Sequence, residues 1–121
     1  MIYIKTKLFI TDNSGGKLGE CIKILGSKFG KAFLADSVVF SVKKALPNKK
    51  VSSHEVRIGV VVRMSRRTIR KDGISISFGD NAIIVLDKRD DLQGNRIFGP
   101  IASELVTCKY NKIVFLAPSV V

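Results

Sequence analysis

The chain has 121 residues, 45% of them hydrophobic and 26% charged, and this length and composition predict one folded domain over residues 1–121 rather than a disordered chain. Its formal net charge of +11 favours a polyanionic partner, because 21 Lys and Arg residues stand against 10 Asp and Glu residues. A membrane partner is disfavoured, since the sequence has no apolar run of 18 residues and no segment that pairs cationic and apolar stripes. The sequence also begins without the pattern of a signal segment, so we expect its start to be that of the mature chain.

Alternation of apolar and polar residues predicts strands over the first 42 residues. Segments 2–10, 20–26 and 37–42 all show it, and "TDNSGG" at residues 11–16 supplies turn-forming side chains between the first two. The residues expected on the apolar faces of these strands are Ile2, Ile4, Leu8, Ile10, Ile22, Ile24, Val38, Phe40 and Val42.

The clearest alternation occurs in "VRIGVVVRM" at residues 56–64, where Arg57 and Arg63 are expected on the polar face. A basic stretch, "RRTIRKDG", follows at residues 66–73, and alternation resumes in "ISISF" at residues 74–78. The Asp72-Gly73 pair therefore lies between two strands, which predicts a hairpin. The residues expected on the apolar face of segment 56–64 are Val56, Ile58, Val60, Val62 and Met64.

The last third of the chain begins with "AIIVL" at residues 82–86, a continuous apolar run typical of a buried strand. Polar, turn-like residues follow, then a weakly helical "ASELV" at residues 102–106. The segment "NKIVFLAP" at residues 111–118 is interpreted as a last strand that Pro118 ends. Many short strands in so small a chain predict a mainly β fold, a closed or nearly closed barrel.

The sequence offers little for catalysis or metal binding. His54 is the one histidine, and its neighbours indicate a surface turn. Asp90 and Asp91 are adjacent to each other in the sequence, and we expect both to be solvated. Cys21 and Cys108 with this histidine cannot form a four-ligand zinc site, and we expect reduced thiols, with a Cys21–Cys108 bridge as the alternative. We therefore predict no enzyme activity, no cofactor and no metal.

The positive charge is concentrated in residues 1–71, which hold 16 basic and 4 acidic residues, whereas residues 72–121 hold 5 and 6. Most of these cations fall at predicted strand ends and connections, where a barrel presents functional groups. Arginine predominates from residue 57 to residue 70, and its guanidinium can bind a phosphate with two hydrogen bonds. The candidate RNA-binding residues are Lys17, Lys23, Lys43, Lys44, Lys49, Lys50, Arg63, Arg66, Arg67, Arg70 and Lys71.

Aromatic residues decide which kind of RNA recognition we expect. Reading of single-stranded bases needs exposed aromatic rings among the cations. The pattern predicts no such rings, because Phe40, Phe78 and Phe115 occupy strand positions expected in the core and the chain has no Trp. The sequence thus predicts recognition of the shape and backbone of folded RNA, with strong salt dependence.

Several motifs together resemble universal large-subunit ribosomal protein fourteen. They are "TDNSGG", "CIKILG", "GVVVR" followed by the basic stretch, "DNA", "GNRIFGPIASEL" and "KIVFLAP", in that order along the whole chain. The resemblance implies a five-stranded barrel with a projecting β-hairpin, short C-terminal helices and no enzymatic role. It further implies binding to large-subunit rRNA, a bridge to small-subunit rRNA, contacts with ribosomal proteins three and nineteen, and docking of a ribosome-silencing factor. Asn95, Arg96 and Lys112 fall in the matching segments and are the candidate residues of that partner and bridge face.

The chain also departs from the family pattern. Lys71 stands where the family usually has Pro, and Ser53-His54-Glu55 replaces a Lys-Gly-Asp turn. Segment 103–106 lacks two cations that the family carries. This divergence favours a large-subunit protein of the mitochondrial matrix, with a bacterial cytoplasmic or plastid protein as the alternative. A free-standing small-barrel RNA-binding protein or RNA chaperone is the second functional hypothesis.

Overall fold

A computed structural model of the chain describes residues 1–26, 30–89, 91–107 and 111–121. Five of its strands form a closed barrel, and two more form a separate hairpin. In chain order the elements are β1 (Lys7–Ile10), β2 (Gly16–Ile24), β3 (Ser37–Ala45), β4 (Val56–Arg63), β5 (Thr68–Ile69), β6 (Ser75–Ile76), β7 (Ala82–Leu86), a 3₁₀ helix (Ser103–Thr107) and α1 (Asn111–Leu116).

The barrel closes because the first and last of its strands pair with each other. Its strand order is β1-β2-β3-β4-β7, with antiparallel neighbours except for the parallel pairing of β1 with β7, in which Phe9 lies opposite Ala82. Closure leaves none of these strands with an unpaired edge. The predicted mainly β barrel, with a projecting hairpin and short helical pieces near the C-terminus, is confirmed.

Phe40 of β3 fills the middle of the barrel. Its side chain is fully buried, as are those of Val38 and Val42, which confirms the inward face predicted for segment 37–42. Two glycines make room for the ring, since a Cβ at Gly19 or Gly59 would lie 2.7 or 3.0 Å from Phe40. The ring therefore contacts backbone on both β2 and β4, where larger residues would displace it.

The faces of β4 differ from the prediction. Val61 and Met64 pack in the barrel core, whereas Val60 and Val62 lie in a second cluster formed with the C-terminal segment. A bulge between Val61 and Arg63 shifts the alternation by one residue, so Met64 returns to the inner side. Predicting one apolar face for segment 56–64 was wrong, because the outer side of this strand is covered too.

The ends of that predicted face are exposed, and so are other apolar residues expected inside. Val56 is 61% exposed and Ile58 is 37% exposed. Ile22 and Ile4 are also exposed. Segment 2–10 is not one strand, because Lys5 adopts a left-handed conformation (φ 72°) that turns the chain before β1 begins.

The segment "NKIVFLAP" forms helix α1, so the predicted last strand was wrong. Ile113 is buried, and Leu116 and Ala117 pack against the same cluster, which is the i, i+3, i+4 spacing of one helix face. Phe115, on the other side, is 85% exposed. The weakly helical "ASELV" prediction agrees with the 3₁₀ helix, whose Leu105 joins the cluster. No helix within the described ranges is long and apolar enough to cross a membrane.

Candidate nucleic-acid interface

The strand register divides the candidate cations between two ends of the barrel. At one end, the start of β2 lies beside the end of β3, with Gly16 opposite Ala45. At the other, the start of β3 lies beside the end of β4, with Ser37 opposite Val60, and the hairpin projects from there. We call these the lysine end and the hairpin end. The cations of the lysine end are Lys17, Lys43, Lys44, Lys49 and Lys50; those of the hairpin end are Lys23, Arg63, Arg66, Arg67, Arg70 and Lys71.

All five cations of the lysine end are exposed. Among the described residues, none of them forms an ion pair. Lys50 donates a hydrogen bond from its ammonium to the carbonyl oxygen of Gln93, at 3.4 Å. Ammonium groups without carboxylate partners can contact phosphates without first breaking an internal bond.

The hairpin has the turn that its sequence predicts. The carboxylate of Asp72 accepts a hydrogen bond from the backbone N–H of Ile74 at 3.1 Å, and Gly73 adopts a positive φ of 87°. These features close β5 onto β6 and confirm the predicted hairpin. Arg66, Arg67 and Lys71 are exposed around it.

Arg63 is committed to contacts inside the chain. Its Nε lies 3.1 Å from Oδ1 of Asp80, and its Nη2 donates to Oδ2 of the same carboxylate at 3.1 Å. Its Nη1 donates to the carbonyl oxygen of Phe98 at 3.3 Å. Only 13% of the Arg63 side chain is exposed, so this predicted RNA-binding residue links the end of β4 to the segment around Phe98.

Arg70 is also committed, and it ties the hairpin to the C-terminal segment. Its Nε and Nη2 donate to the two carboxylate oxygens of Glu104 at 2.8 and 3.3 Å, and Nη2 also donates to the carbonyl oxygen of Val121 at 2.7 Å. Burial tends to raise the pKa of Glu104, but the hydrogen bond and charge of Arg70 outweigh burial and lower it. Lys23 differs from both arginines, since it is exposed on β2 opposite Val39.

The three predicted partner residues come from two segments of the chain. Asn95 and Arg96 are held together, since the side-chain oxygen of Asn13 accepts from their backbone N–H groups at 2.8 and 3.1 Å. The Asn13 amide nitrogen also donates to the side-chain oxygen of Asn95. Lys112 lies on α1 instead, with its ammonium 3.5 Å from a carboxylate oxygen of Asp91. All three predicted residues are exposed.

Asp12 holds the loop between β1 and β2, a role that sequence reasoning missed. Its Oδ1 accepts from the hydroxyl of Ser14 at 2.5 Å and from the Ser14 N–H at 3.3 Å, and its Oδ2 accepts from the N–H of Val85 at 3.0 Å. Burial raises the pKa of Asp12, and these hydrogen bonds act against that rise. The signal was present in "TDNSGG", because an Asp before a turn often bonds to the backbone two residues later.

Exposed aromatic rings were also missed. Phe98 is 55% exposed and Phe115 is 85% exposed, so placing Phe115 in the core was wrong, as was the expectation that exposed rings are absent. Phe40 and Phe78 do contact the core, as expected. Phe98 lines a groove together with Lys17 and Lys49, which places an aromatic ring among cations of the lysine end.

Of the residues considered for other chemistry, the structure describes His54, Cys21 and Asp91. His54 is exposed in a turn with a positive φ of 66°. Cys21 is a free, buried thiol, and burial raises its pKa. Its suggested partner Cys108 lies outside the described residues, as does Asp90 of the Asp90-Asp91 pair, while Asp91 is exposed.

Comparison with known families completes the description of the interface. A family model described as "Ribosomal protein L14p/L23e" matches residues 1–121. The match therefore spans the barrel, the hairpin and the C-terminal segment together.

Proposed function

The chain belongs to the ribosomal protein L14p/L23e family, and we propose that it binds large-subunit rRNA through the exposed cations at both ends of its barrel. Membership makes it a structural protein of the large ribosomal subunit and of translation. The observation that carries the RNA-binding proposal is the set of exposed ammonium groups at the lysine end, which have no carboxylate partner among the described residues, together with exposed Arg66 and Arg67 beside a projecting hairpin.

The chemistry of these groups supports binding to phosphates. Lysine acts nearly as a point charge toward the RNA backbone, whereas an arginine such as Arg66 can hold one phosphate with two hydrogen bonds. Such contacts position RNA without reading its sequence. Arg63 and Arg70 take a different part in the proposal: they fix the hairpin and the Phe98 segment so that the exposed cations keep their places.

The finer assignments are proposals as well. Asn95, Arg96 and Lys112 are exposed and are proposed for a face that bridges to small-subunit rRNA or receives a silencing factor. Ribosomal proteins three and nineteen are the proposed neighbours. We propose a mitochondrial matrix source, with bacterial and plastid ribosomes as alternatives, a single domain over residues 1–121, and no catalytic role.

Replacing Arg66 and Arg67 with alanine tests the hairpin contacts. We expect binding to a large-subunit rRNA fragment to weaken by about 1–3 kcal/mol, and the dependence of log K on log salt to flatten by about two phosphate contacts. Affinity measured over a series of salt concentrations gives both quantities. Equal slopes for the double variant and the parent chain would reject the assignment.

The second candidate function is a free-standing RNA chaperone, which the exposed ring of Phe98 favours. Sucrose-gradient fractionation of a lysate separates the two. A ribosomal protein migrates with large subunits, whereas a free-standing protein stays at the top of the gradient. Recovery at the top alone would overturn the ribosomal proposal and leave the second candidate.

A further inference from the structure

An apolar groove opens at the lysine end, between the loop that precedes β2 and the segment that contains Phe98. Its volume is about 400 Å³, within the range of pockets that hold small organic groups. Phe98 is 55% exposed and Leu46 is 42% exposed, so both present apolar surface to solvent. Lys17 and Lys49 line the groove together with Phe98 and Leu46.

The walls of this groove are fixed by backbone contacts. The N–H of Phe98 donates to the carbonyl oxygen of Thr11 at 2.7 Å, and the carbonyl oxygen of Phe98 accepts from Arg63 at 3.3 Å. On the other side, the N–H of Leu46 donates to the carbonyl oxygen of Gly15 at 2.7 Å. The ring of Phe98 is thus carried on a backbone held from both sides, which reduces the entropy lost when a ligand binds.

Glycine at position 15 is needed for this arrangement. Gly15 adopts a positive φ of 110°, and a Cβ there would lie 2.2 Å from the Cβ of Lys49. Lys49 therefore packs directly on the Gly15 backbone, at the rim shared by the apolar groove and its neighbour.

The electrostatics of the groove favour an anionic occupant. Lys17 and Lys49 line it, and neither has a carboxylate partner among the described residues. Asp12 is the acidic residue of the lining, but it is 6% exposed and its oxygens already accept three hydrogen bonds. Its oxygens are therefore already occupied, and the two lysines of the lining outnumber it.

A second, polar groove of about 330 Å³ adjoins the first and shares Asn13 and Lys49 with it. Lys50 lines this groove together with the polar residues Asn48, Gln93 and Asn95. An apolar pocket with an aromatic ring thus lies next to a cationic, hydrogen-bonding pocket. A nucleotide has the same two parts, a flat base and a charged, polar sugar-phosphate.

We propose that the two grooves together bind one unpaired nucleotide of RNA. The base packs against Phe98 and Leu46 in the apolar groove, and its phosphates lie beside Lys49 and Lys50. This inference rests on the proposed RNA binding and adds a base contact to it, since stacking on an aromatic ring tolerates any base and needs an unpaired one. An apolar protein segment would leave the lysines of the rim without partners, which is why a nucleotide is favoured.

The test uses the full-length chain and a short single-stranded oligoribonucleotide that contains one 2-aminopurine, whose fluorescence changes on stacking. Phe98→Ala should weaken binding by roughly 5- to 150-fold, the range for losing one stacked base, and abolish the fluorescence change. Phe98→Leu keeps apolar volume but removes the aromatic face, so it should lose most of the same affinity. An oligonucleotide that is abasic at every position should bind the parent and Phe98→Ala equally.

Phe115→Ala is the matched control, because Phe115 is an exposed ring on α1 that does not line the groove. It should bind like the parent, and circular dichroism melting should show that all variants fold. Parental binding by both Phe98 variants would overturn the inference, and so would equal losses for normal and abasic oligonucleotides. If either result is found while the Arg66 and Arg67 replacements still weaken RNA binding, the nucleotide groove is rejected and the proposed function stands.

Purified large subunits give an independent readout with a photo-crosslinking amino acid at position 98. A crosslink to an rRNA nucleotide is the expected result. A crosslink to protein alone would show that a polypeptide occupies the groove, and would overturn the proposal.

Discussion

The lysine end and the hairpin end both carry cations, but the two ends use them differently. At the lysine end, Lys43 and Lys44 project into solvent with no carboxylate partner among the described residues. At the hairpin end, Arg63 and Arg70 bind Asp80 and Glu104 and hold distant segments together. Two of the cations at the hairpin end are therefore already paired with carboxylates, so a simple count of cations overstates the positive charge that this end offers a ligand.

The difference follows from the chemistry of the two side chains. A guanidinium has five N–H donors in a rigid plane, so Arg63 can bond to a carboxylate and to the Phe98 carbonyl at once. An ammonium is compact and strongly hydrated, which favours leaving Lys43 and Lys44 in water. We infer that arginines at the hairpin end serve both as structural links and as exposed contacts, whereas lysines at the other end serve as contacts.

The largest expected effect that separates the ends is on stability. Arg63→Met should lower the free energy of unfolding by about 1.5–3 kcal/mol, because a half-buried Asp80 carboxylate and the Phe98 carbonyl lose a charged donor. Urea unfolding measures this change. Arg67→Met, at an exposed arginine of the same end, is the control and should stay within about 0.5 kcal/mol of the parent.

RNA binding by Arg63→Met shows whether this arginine acts only as a structural link. A folded variant should keep the parental salt slope, since its guanidinium makes no phosphate contact in our proposal. Parental stability combined with a flatter slope would mean that Arg63 contacts RNA and does not act as a structural link.

An intermediate effect is expected at the lysine end, on affinity and not on stability. Lys43→Ala with Lys44→Ala should weaken rRNA binding by about 1–2 kcal/mol and flatten the salt slope by about two phosphates, with an unchanged unfolding midpoint. The charge-preserving pair Lys43→Arg with Lys44→Arg is the control and should keep the slope. A lowered midpoint without any change of slope would mean that these lysines are structural.

Much of the barrel could be predicted from alternation, and its exceptions have physical causes. Val38, Phe40 and Val42 point inward as predicted, and the apolar run of β7 is buried as predicted. The faces of β4 could not be assigned, because consecutive Val60, Val61 and Val62 are apolar on both sides and the cover comes from a segment far along the chain. Helix α1 was mistaken for a strand since a short apolar run fits either period.

The candidate site was predictable in composition but not in detail. Net charge and the Asp72-Gly73 turn indicated a basic hairpin, which the structure contains. The partners of Arg63 and Arg70 lie 17 and 34 residues further along the chain, so local sequence could not reveal which cations are paired. Phe98 escaped notice because an apolar residue in a loop carries no sign of whether tertiary packing covers it.

The smallest expected effect concerns the link between the hairpin and the C-terminal segment. Glu104→Gln keeps the shape of the side chain but removes the charge that Arg70 binds. Because the pair is partly exposed and screened by solvent, we expect a loss of only about 0.5 kcal/mol near neutral pH. The sign of its pH dependence follows from the lowered pKa of Glu104 in the folded chain.

A carboxyl group with a lowered folded pKa stabilises the protein above its unfolded pKa, which is about 4.3 for Glu. That contribution disappears as pH falls through the folded value, so the unfolding free energies of parent and Glu104→Gln should converge in acid and separate toward neutrality. Urea titrations from pH 3 to pH 7 measure the difference. Asp91→Asn, at the exposed pair with Lys112, is the matched control for replacing a paired carboxylate by an amide. A constant difference across this pH range would show that the Arg70 guanidinium does not stabilise the charged form of Glu104, and the contrast between the two ends would then rest on Arg63.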